Sequence, residues 1–190
     1  TEKMLAILMD WKEKYGYEAA ILNLGGGFGV TYTSEDQPLP AKEYVKQMVE
    51  KVKSECQKLA YPLPEIWIEP GRSLVAEAGT SIYTVGSRKE VEGVRTFVAV
   101  DGGMGDNIRP ALYGAKYSAF LANKALEENK ETVTLVGKYC ESGDKLIEDL
   151  SLAESQPGDI VAMTSTGAYG YSMASNYNRN QKPAVVFVED

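Results

Sequence analysis

Apolar positions recur three and four residues apart in two stretches of the chain and cluster into short runs elsewhere. Residues 4–14 place Met4, Leu5, Leu8 and Trp11 on one helical face. Residues 41–60 do the same with Val45, Met48, Val49, Val52, Cys56 and Leu59. Tyr61-Pro62-Leu63-Pro64 ends that helix, because proline fixes φ and removes a backbone donor. Between the two lies Ile21-Leu22-Asn23-Leu24, which stops at Gly25-Gly26-Gly27-Phe28-Gly29. A short apolar run before glycines predicts a buried strand and then a loop that no side chain obstructs. Ile66-Trp67-Ile68 is a second such strand, ended by Glu69-Pro70-Gly71-Arg72. The order helix, strand, loop, helix, strand, loop is the rhythm of a parallel α/β unit.

The pattern then changes. Residues 80–85, 94–100, 132–136, 159–164 and 183–188 are runs of Val, Ile, Thr and Tyr punctuated by Gly, Asn, Asp and Pro, and each predicts a strand. No long amphipathic helix separates them. The boundary falls near residue 77, giving an α/β part over 1–77 and a mostly β part over 78–190. The chain starts at Thr1 without a methionine and stops inside the run Ala184-Val185-Val186-Phe187-Val188. Both ends read as cut, so the expectation is a piece of a longer protein with the β part truncated at its end.

Composition narrows the function classes. Of 190 residues, 44% are hydrophobic and 25% charged, the balance of a folded domain. Asp plus Glu number 27 against 20 Lys plus Arg, for a net charge of −7. An acidic chain with no basic run argues against nucleic acid or an anionic membrane as main partner. With 0 histidines, mechanisms that need a His base or a His metal ligand are removed from this chain. Cys56 and Cys140 fit no metal spacing and no secreted disulfide framework, so no metal is expected and a reducing cytoplasm is the expected compartment. No apolar run reaches transmembrane length and no signal-peptide pattern is visible.

Five segments carry candidate chemistry. The free N–H groups of Gly25, Gly26 and Gly27 suit a phosphate, although Val30 stands where a dinucleotide fingerprint needs its last glycine and no Walker-type Lys follows. A tight turn is the plainer alternative. Glu69-Pro70-Gly71-Arg72 aims a carboxylate and a guanidinium outward from the C-terminal end of a strand, where α/β barrels keep their active sites. After the strand 94–100, a long polar loop holds Asp101-Gly102-Gly103-Met104-Gly105-Asp106-Asn107 and then Arg109 and Tyr113, suited to grip a carboxylate. Cys140-Glu141 puts a thiol beside a carboxylate, a proton donor next to an amine-binding group. Tyr169, in Gly167-Ala168-Tyr169-Gly170-Tyr171, offers a phenol.

Taken in order, the segments GGGFG, EPGR, VDGGMGDN followed by RPALYGA, GKYCESGD and TGAYGYSMASNYN resemble the diaminopimelate decarboxylases. These are pyridoxal-phosphate enzymes of the alanine-racemase-like fold type III. The resemblance runs from about residue 20 to the end of the chain. It implies the last strands of a (β/α)8 TIM barrel followed by a C-terminal β-sandwich or barrel-like β domain. It implies a carboxy-lyase, cutting a carbon–carbon bond, that converts meso-2,6-diaminopimelate to L-lysine and CO2 in lysine biosynthesis.

Residue by residue, the resemblance assigns Gly25, Gly26, Gly27, Glu69, Pro70, Gly71, Arg72 and Tyr169 to pyridoxal 5'-phosphate. Glu69 would face the pyridine nitrogen and Tyr169 the phosphate. Arg72, Arg109, Tyr113, Glu141 and Tyr169 would contact the amino-acid substrate, with Glu141 gripping its distal amine. Cys140 would be the acid that returns a proton to carbon. The family also implies a homodimer in which the Cys-Glu loop reaches into the partner's active site. The family's Schiff-base lysine and cofactor-facing histidine have no counterpart here, so this chain alone is expected to be inactive. Ornithine, arginine and carboxynorspermidine decarboxylases of the same fold are the neighbouring alternatives, and a non-catalytic fragment is another. Ornithine-type enzymes typically carry Cys-Asp where this chain has Cys140-Glu141, and they lack the RPALYGA run.

Overall fold

The computed structural model describes residues 1–189. It divides into two compact units: Thr1–Val30 with Gln37–Leu74, and Thr31–Asp36 with the chain from Val75 onward.

In the first unit, α1 (Glu2–Tyr15) ends at Gly16, whose φ of 65° takes the left-handed turn that closes the helix. Strand β1 (Ile21–Asn23) and helix α2 (Ala41–Lys58) follow. Strand β2 (Glu65–Trp67) lies parallel to β1, with Leu22 opposite Ile66. Leu5, Leu22, Val52, Cys56 and Tyr61 form the core between helices and strands. Of the four residues expected on one face of α1, Leu5 is fully buried while Met4 and Trp11 stay 39% and 45% exposed. Met4, Ile7, Leu8, Trp11, Tyr17 and Ile21 line an apolar groove beside β1. Helix α3 (Arg72–Val75) starts just past the Pro70-Gly71 turn.

The second unit is mostly sheet. Strands β3 (Ser81–Val91), β4 (Arg95–Val100), β5 (Ala119–Leu121), β6 (Glu131–Val136), β7 (Lys145–Leu152) and β8 (Ile160–Met163) join in the order β5-β8-β3-β4-β6-β7. All ladders are antiparallel except β4 with β6. The terminal strands β5 and β7 approach each other, so the sheet nearly closes on itself. Tyr83, Val85, Val98, Leu135, Leu152 and Val161 fill its interior, alternating with outward residues as the pleat requires.

Three expectations need correction. Residues 183–188 form no strand and Val186, Phe187 and Val188 are 80–93% exposed. A β-forming sequence makes a strand only where a neighbouring edge accepts its ladder, and this run has no ladder partner among the described residues. Part of the polar loop after β4 is helical: α4 (Arg109–Tyr113) starts with Pro110 in its first turn and is closed by Gly114 at φ 62°. Strand β5 lies where none was expected, and so does β7. The alternation of β7 is interrupted at Asp149, which has φ 54°, and its register against β6 is irregular. A short helix, α5 (Gly170–Met173), follows Tyr169.

Candidate functional site

In the first unit the candidate groups gather at the C-terminal ends of the parallel pair. Gly25 and Gly27 adopt φ of 73° and 88°, values that only glycine takes without strain. A Cβ on Gly26 would stand 2.2 Å from the Glu69 carbonyl oxygen, so the two loops touch backbone to backbone. The Glu69 N–H donates to the Gly25 carbonyl at 2.8 Å. The N–H groups of Gly26 and Gly27 find no acceptor among the described residues.

Asn23, which the sequence reading passed over, organises this corner. Its Oδ1 accepts the Gly25 N–H at 2.8 Å and its Nδ2 donates to Glu69 Oε1 at 2.5 Å. That leaves Glu69 Oε2 without a partner among the described residues, on an exposed side chain. A polar residue at the end of an apolar strand, directly before three glycines, was the available signal. Pro70 and Gly71 make the turn, with the Leu74 N–H donating to the Gly71 carbonyl at 3.0 Å, and Arg72 opens α3 half-buried.

The second unit holds a separate group. Arg109 is only 8% exposed. Its Nη1 donates to Tyr117 Oη at 2.7 Å and to Tyr32 Oη at 3.3 Å. The guanidinium also lies 5.4–6.0 Å from the ring centres of Tyr32, Tyr117 and Tyr169. A cation tied to two phenol oxygens, with the Tyr169 ring beside it, is held in one orientation. Tyr32 and Tyr117 were not singled out from sequence, because they lie 77 and 8 residues from the arginine they fix. Arg109, Tyr113, Tyr169 and Met173 line a cavity of about 290 Å³. Tyr169 sits at φ 68°, an uncommon conformation for a residue with a Cβ, on a turn bonded to the segment 76–79 through Gly167 N–H to Ala76 O and Thr166 N–H to Gly79 O.

Cys140 and Glu141 sit on the loop between β6 and β7 and do not line that cavity. Both are exposed. The Cys140 N–H donates to Asn178 Oδ1 at 3.2 Å, and Tyr139 stacks on Tyr177 with ring centres 5.9 Å apart. Beneath the loop lies buried Asp144, whose Oδ1 accepts the Met104 N–H at 2.6 Å and whose Oδ2 accepts the Tyr139 N–H at 2.8 Å. Burial pushes the carboxyls of Asp144 and Asp106 up, and burial with the charge of Asp106 does the same to the phenols of Tyr83 and Tyr139. Among the described residues, no group of His, Cys, Asp and Glu is arranged to hold a metal ion.

The comparisons with known proteins agree with one another. Residues 8–167 match the family described as pyridoxal-dependent decarboxylase, C-terminal sheet domain. A diaminopimelate decarboxylase of Bacillus methanolicus is 59% identical over 188 residues, which is 99% of this chain and 44% of that protein. The crystal structure of diaminopimelate decarboxylase from M. jannaschii in co-complex with L-lysine superposes on 96% of the chain and 41% of its own, with a TM-score of 0.84 at 34% identity. A lysine/ornithine decarboxylase from Vibrio vulnificus, complexed with cadaverine, covers 95% of the chain and 47% of its own, with a TM-score of 0.78 at 25% identity. The chain spans less than half the length of each relative. With one family matched across most of its residues, and with relatives of that kind covering nearly all of it, this chain belongs to the pyridoxal-dependent decarboxylases.

Proposed function

We propose that the complete protein is a diaminopimelate decarboxylase, a cytoplasmic carboxy-lyase that releases CO2 from meso-2,6-diaminopimelate to give L-lysine. The observation that carries this reading is 59% identity to a diaminopimelate decarboxylase over 99% of the chain; among solved structures the contrast is 34% to a diaminopimelate decarboxylase against 25% to a lysine/ornithine decarboxylase. In this reading residues 1–77 are the last part of a (β/α)8 barrel, residues 78–190 its C-terminal β domain, and the working form is a homodimer.

Pyridoxal 5'-phosphate fits the first unit's corner. Two glycine N–H donors stand open for a phosphate, and Asn23 leaves one carboxylate oxygen of Glu69 free to face a pyridine N–H. When bound, the cofactor supplies an electron sink for the bond that breaks when CO2 leaves. Glu69 keeps the ring nitrogen protonated through its negative charge. Gly26 and Gly27, with Arg72, hold phosphate; Gly25, its N–H given to Asn23 rather than to phosphate as the sequence suggested, shapes the loop, and the Pro70-Gly71 turn sets where Glu69 ends and Arg72 begins. Arg109, its fork already oriented by Tyr117 and Tyr32, binds a substrate carboxylate with Tyr113 and Tyr169, which line the same cavity. Glu141 accepts from the distal ammonium. Cys140 gives a proton to the substrate carbon after CO2 departs.

The test is Cys140→Ala in the complete enzyme. A lost proton donor lowers kcat by about 10²–10⁴-fold while KM changes little. A kcat within a few-fold of the parent would overturn the role given to Cys140.

A further inference from the structure

Three segments of the second unit meet around the Cys140 loop, joined by groups that have no role toward cofactor or substrate in the function proposed. The glycine-rich segment 101–107 leads into Arg109. The segment 137–144 carries Cys140 and Glu141. The segment 175–180 follows α5. Lys138 N–H donates to the Gly102 carbonyl at 2.9 Å, and Ser175 N–H donates to the Gly105 carbonyl at 2.9 Å. Asp144 bridges the first two segments, taking the Met104 N–H on one oxygen and the Tyr139 N–H on the other. Asn178 joins the third to the second by accepting the Cys140 N–H at 3.2 Å.

The packing leaves no slack. A Cβ on Gly103 or on Gly137 would stand 2.5 Å or 2.3 Å from an Asp144 carboxylate oxygen. The glycines therefore let two backbones close over one buried carboxylate that is 4% exposed. Only a carboxylate serves both N–H groups at once, because an amide of the same shape has one acceptor oxygen and presents an NH2 to the second donor. Asn178 has φ 52°, so its side chain reaches Cys140 from a conformation that asparagine and glycine take more readily than other residues.

We propose that Asp144 and Asn178 are positioning residues that fix two successive backbone N–H groups leading into the Cys140 thiol, those of Tyr139 and Cys140, and lock that backbone to the segment leading into Arg109. The proposal rests on the reading of Cys140 as the proton donor. Neither residue touches the reacting atoms. Each acts by limiting where the thiol stands when the substrate carbon needs its proton, a step for which small displacements cost rate.

The experiment uses the complete cofactor-loaded enzyme and three variants, with Cys140→Ala beside them. Asn178→Gly removes the acceptor and keeps the backbone unstrained, Asn178→Asp restores an acceptor oxygen, and Asp144→Asn removes one of two acceptors. The measurements are kcat per loaded site, KM for meso-diaminopimelate and the solvent deuterium isotope effect on kcat. The expected result for Asn178→Gly and Asp144→Asn is a kcat about tenfold lower, KM within about threefold, and a larger isotope effect as proton delivery becomes slow. Asn178→Asp should return near the parent on all three. A residue that only stabilises the fold would lower the melting temperature without raising the isotope effect at each loaded site. The proposal is overturned if Asn178→Gly keeps the parent kcat and isotope effect while Cys140→Ala does not. Should Asp144→Asn fail to fold, the Asn178 pair decides. An unaffected Cys140→Ala would instead overturn the role of the thiol itself.

Discussion

Both units bury a core, but the second nearly closes a sheet around its own while the first leaves an apolar groove open beside β1. Val85, Val98, Leu135 and Val161 come from four different strands and are each no more than 2% exposed. In the first unit Leu5 and Val52 reach 0%, yet Ile7, Trp11, Ile21 and Trp67 stand 42–52% exposed on the same small body. Six strands nearly close around a core in one case, and two parallel strands carry two helices in the other. A parallel pair with helices buries both faces only when further strand–helix units flank it. The uncovered groove beside β1 is the surface that such a neighbour covers in the barrel proposed above.

The comparison teaches where each unit keeps its chemistry. In the first, the candidate groups are backbone donors and a carboxylate at strand ends, placed by glycines and by Asn23. In the second they are side chains on loops, placed by buried polar groups: tyrosines around Arg109 and Asp144 under Cys140. Stability and site geometry are therefore coupled differently in the two.

The largest expected effect breaks or confirms the difference in burial. Leu135→Ala removes a side chain with 0% exposure from the middle of the second unit's sheet. Its cost is about 2–5 kcal/mol, read as a lower denaturation midpoint of this chain. Trp11→Ala deletes a larger side chain that stays 45% exposed in the open groove and meets only Tyr17, edge to face, among the described aromatic rings, and should cost less, about 1 kcal/mol. Equal losses from the two substitutions would mean that the first unit's apolar face is buried in solution.

A smaller effect separates the two modes of placement. Gly26→Ala pushes a methyl to 2.2 Å from the Glu69 carbonyl, and Gly167→Ala pushes one to 1.9 Å from the Val75 carbonyl. Overpacking of this kind costs about 1–3 kcal/mol. In the complete enzyme Gly26→Ala should weaken pyridoxal-phosphate affinity by about tenfold or more, measured by titrating the cofactor-free protein, and leave the sheet unit's melting unchanged. Gly167→Ala should lower that melting instead. If Gly26→Ala bound the cofactor as well as the parent, the glycine loop would be a packing turn only.

How much of this was legible in the sequence follows from the range of the forces involved. Helix periodicity and glycine punctuation act locally, so α1, β1, α2 and β2 and the chemistry at their ends could be read directly. Strand β7 could not, because Asp149 breaks the alternation and its place is fixed by pairing with β6. The run 183–188 misled for the converse reason: its residues favour a strand, and the ladder that would make one is absent among the described residues. Arg109, Cys140 and Glu141 stood out as motif residues. Tyr32, Tyr117, Asp144 and Asn178, which hold them, did not, since each acts across a fold that no local spacing reveals.

The smallest effect concerns two carboxyls of the second unit whose pH dependence has opposite sign. Burial pushes the Asp106 carboxyl above the usual value of 3.8, and the charges of Asp144 and Asp101 add to it. A group raised in the fold binds its proton more tightly there than in the unfolded chain. Stability is therefore lost as pH rises from the unfolded value through the folded one, and the cost of the ionised form is fully present at neutral pH. Glu131 is the reverse. Burial pushes its carboxyl up, but the Ser155 N–H, the Arg88 guanidinium and the Ser155 hydroxyl together hold it below its usual value of 4.5. Its stabilisation is present above the unfolded value and is lost as pH falls through the folded one. Asp106→Asn keeps an oxygen for the Gly103 N–H, which Asp106 Oδ2 now accepts at 2.9 Å, and removes the half-buried charge. It should raise the denaturation midpoint at pH about 7, and the gain should shrink towards nothing below pH about 4. Glu131→Gln should lower the midpoint at pH about 7 and approach the parent as the solution is acidified through the carboxyl range. If Asp106→Asn lost stability at neutral pH, the Asp106 charge would be satisfied by the loop around it. The glycine segment under Cys140 would then be held by two carboxylates, half-buried Asp106 and buried Asp144, rather than by Asp144 alone.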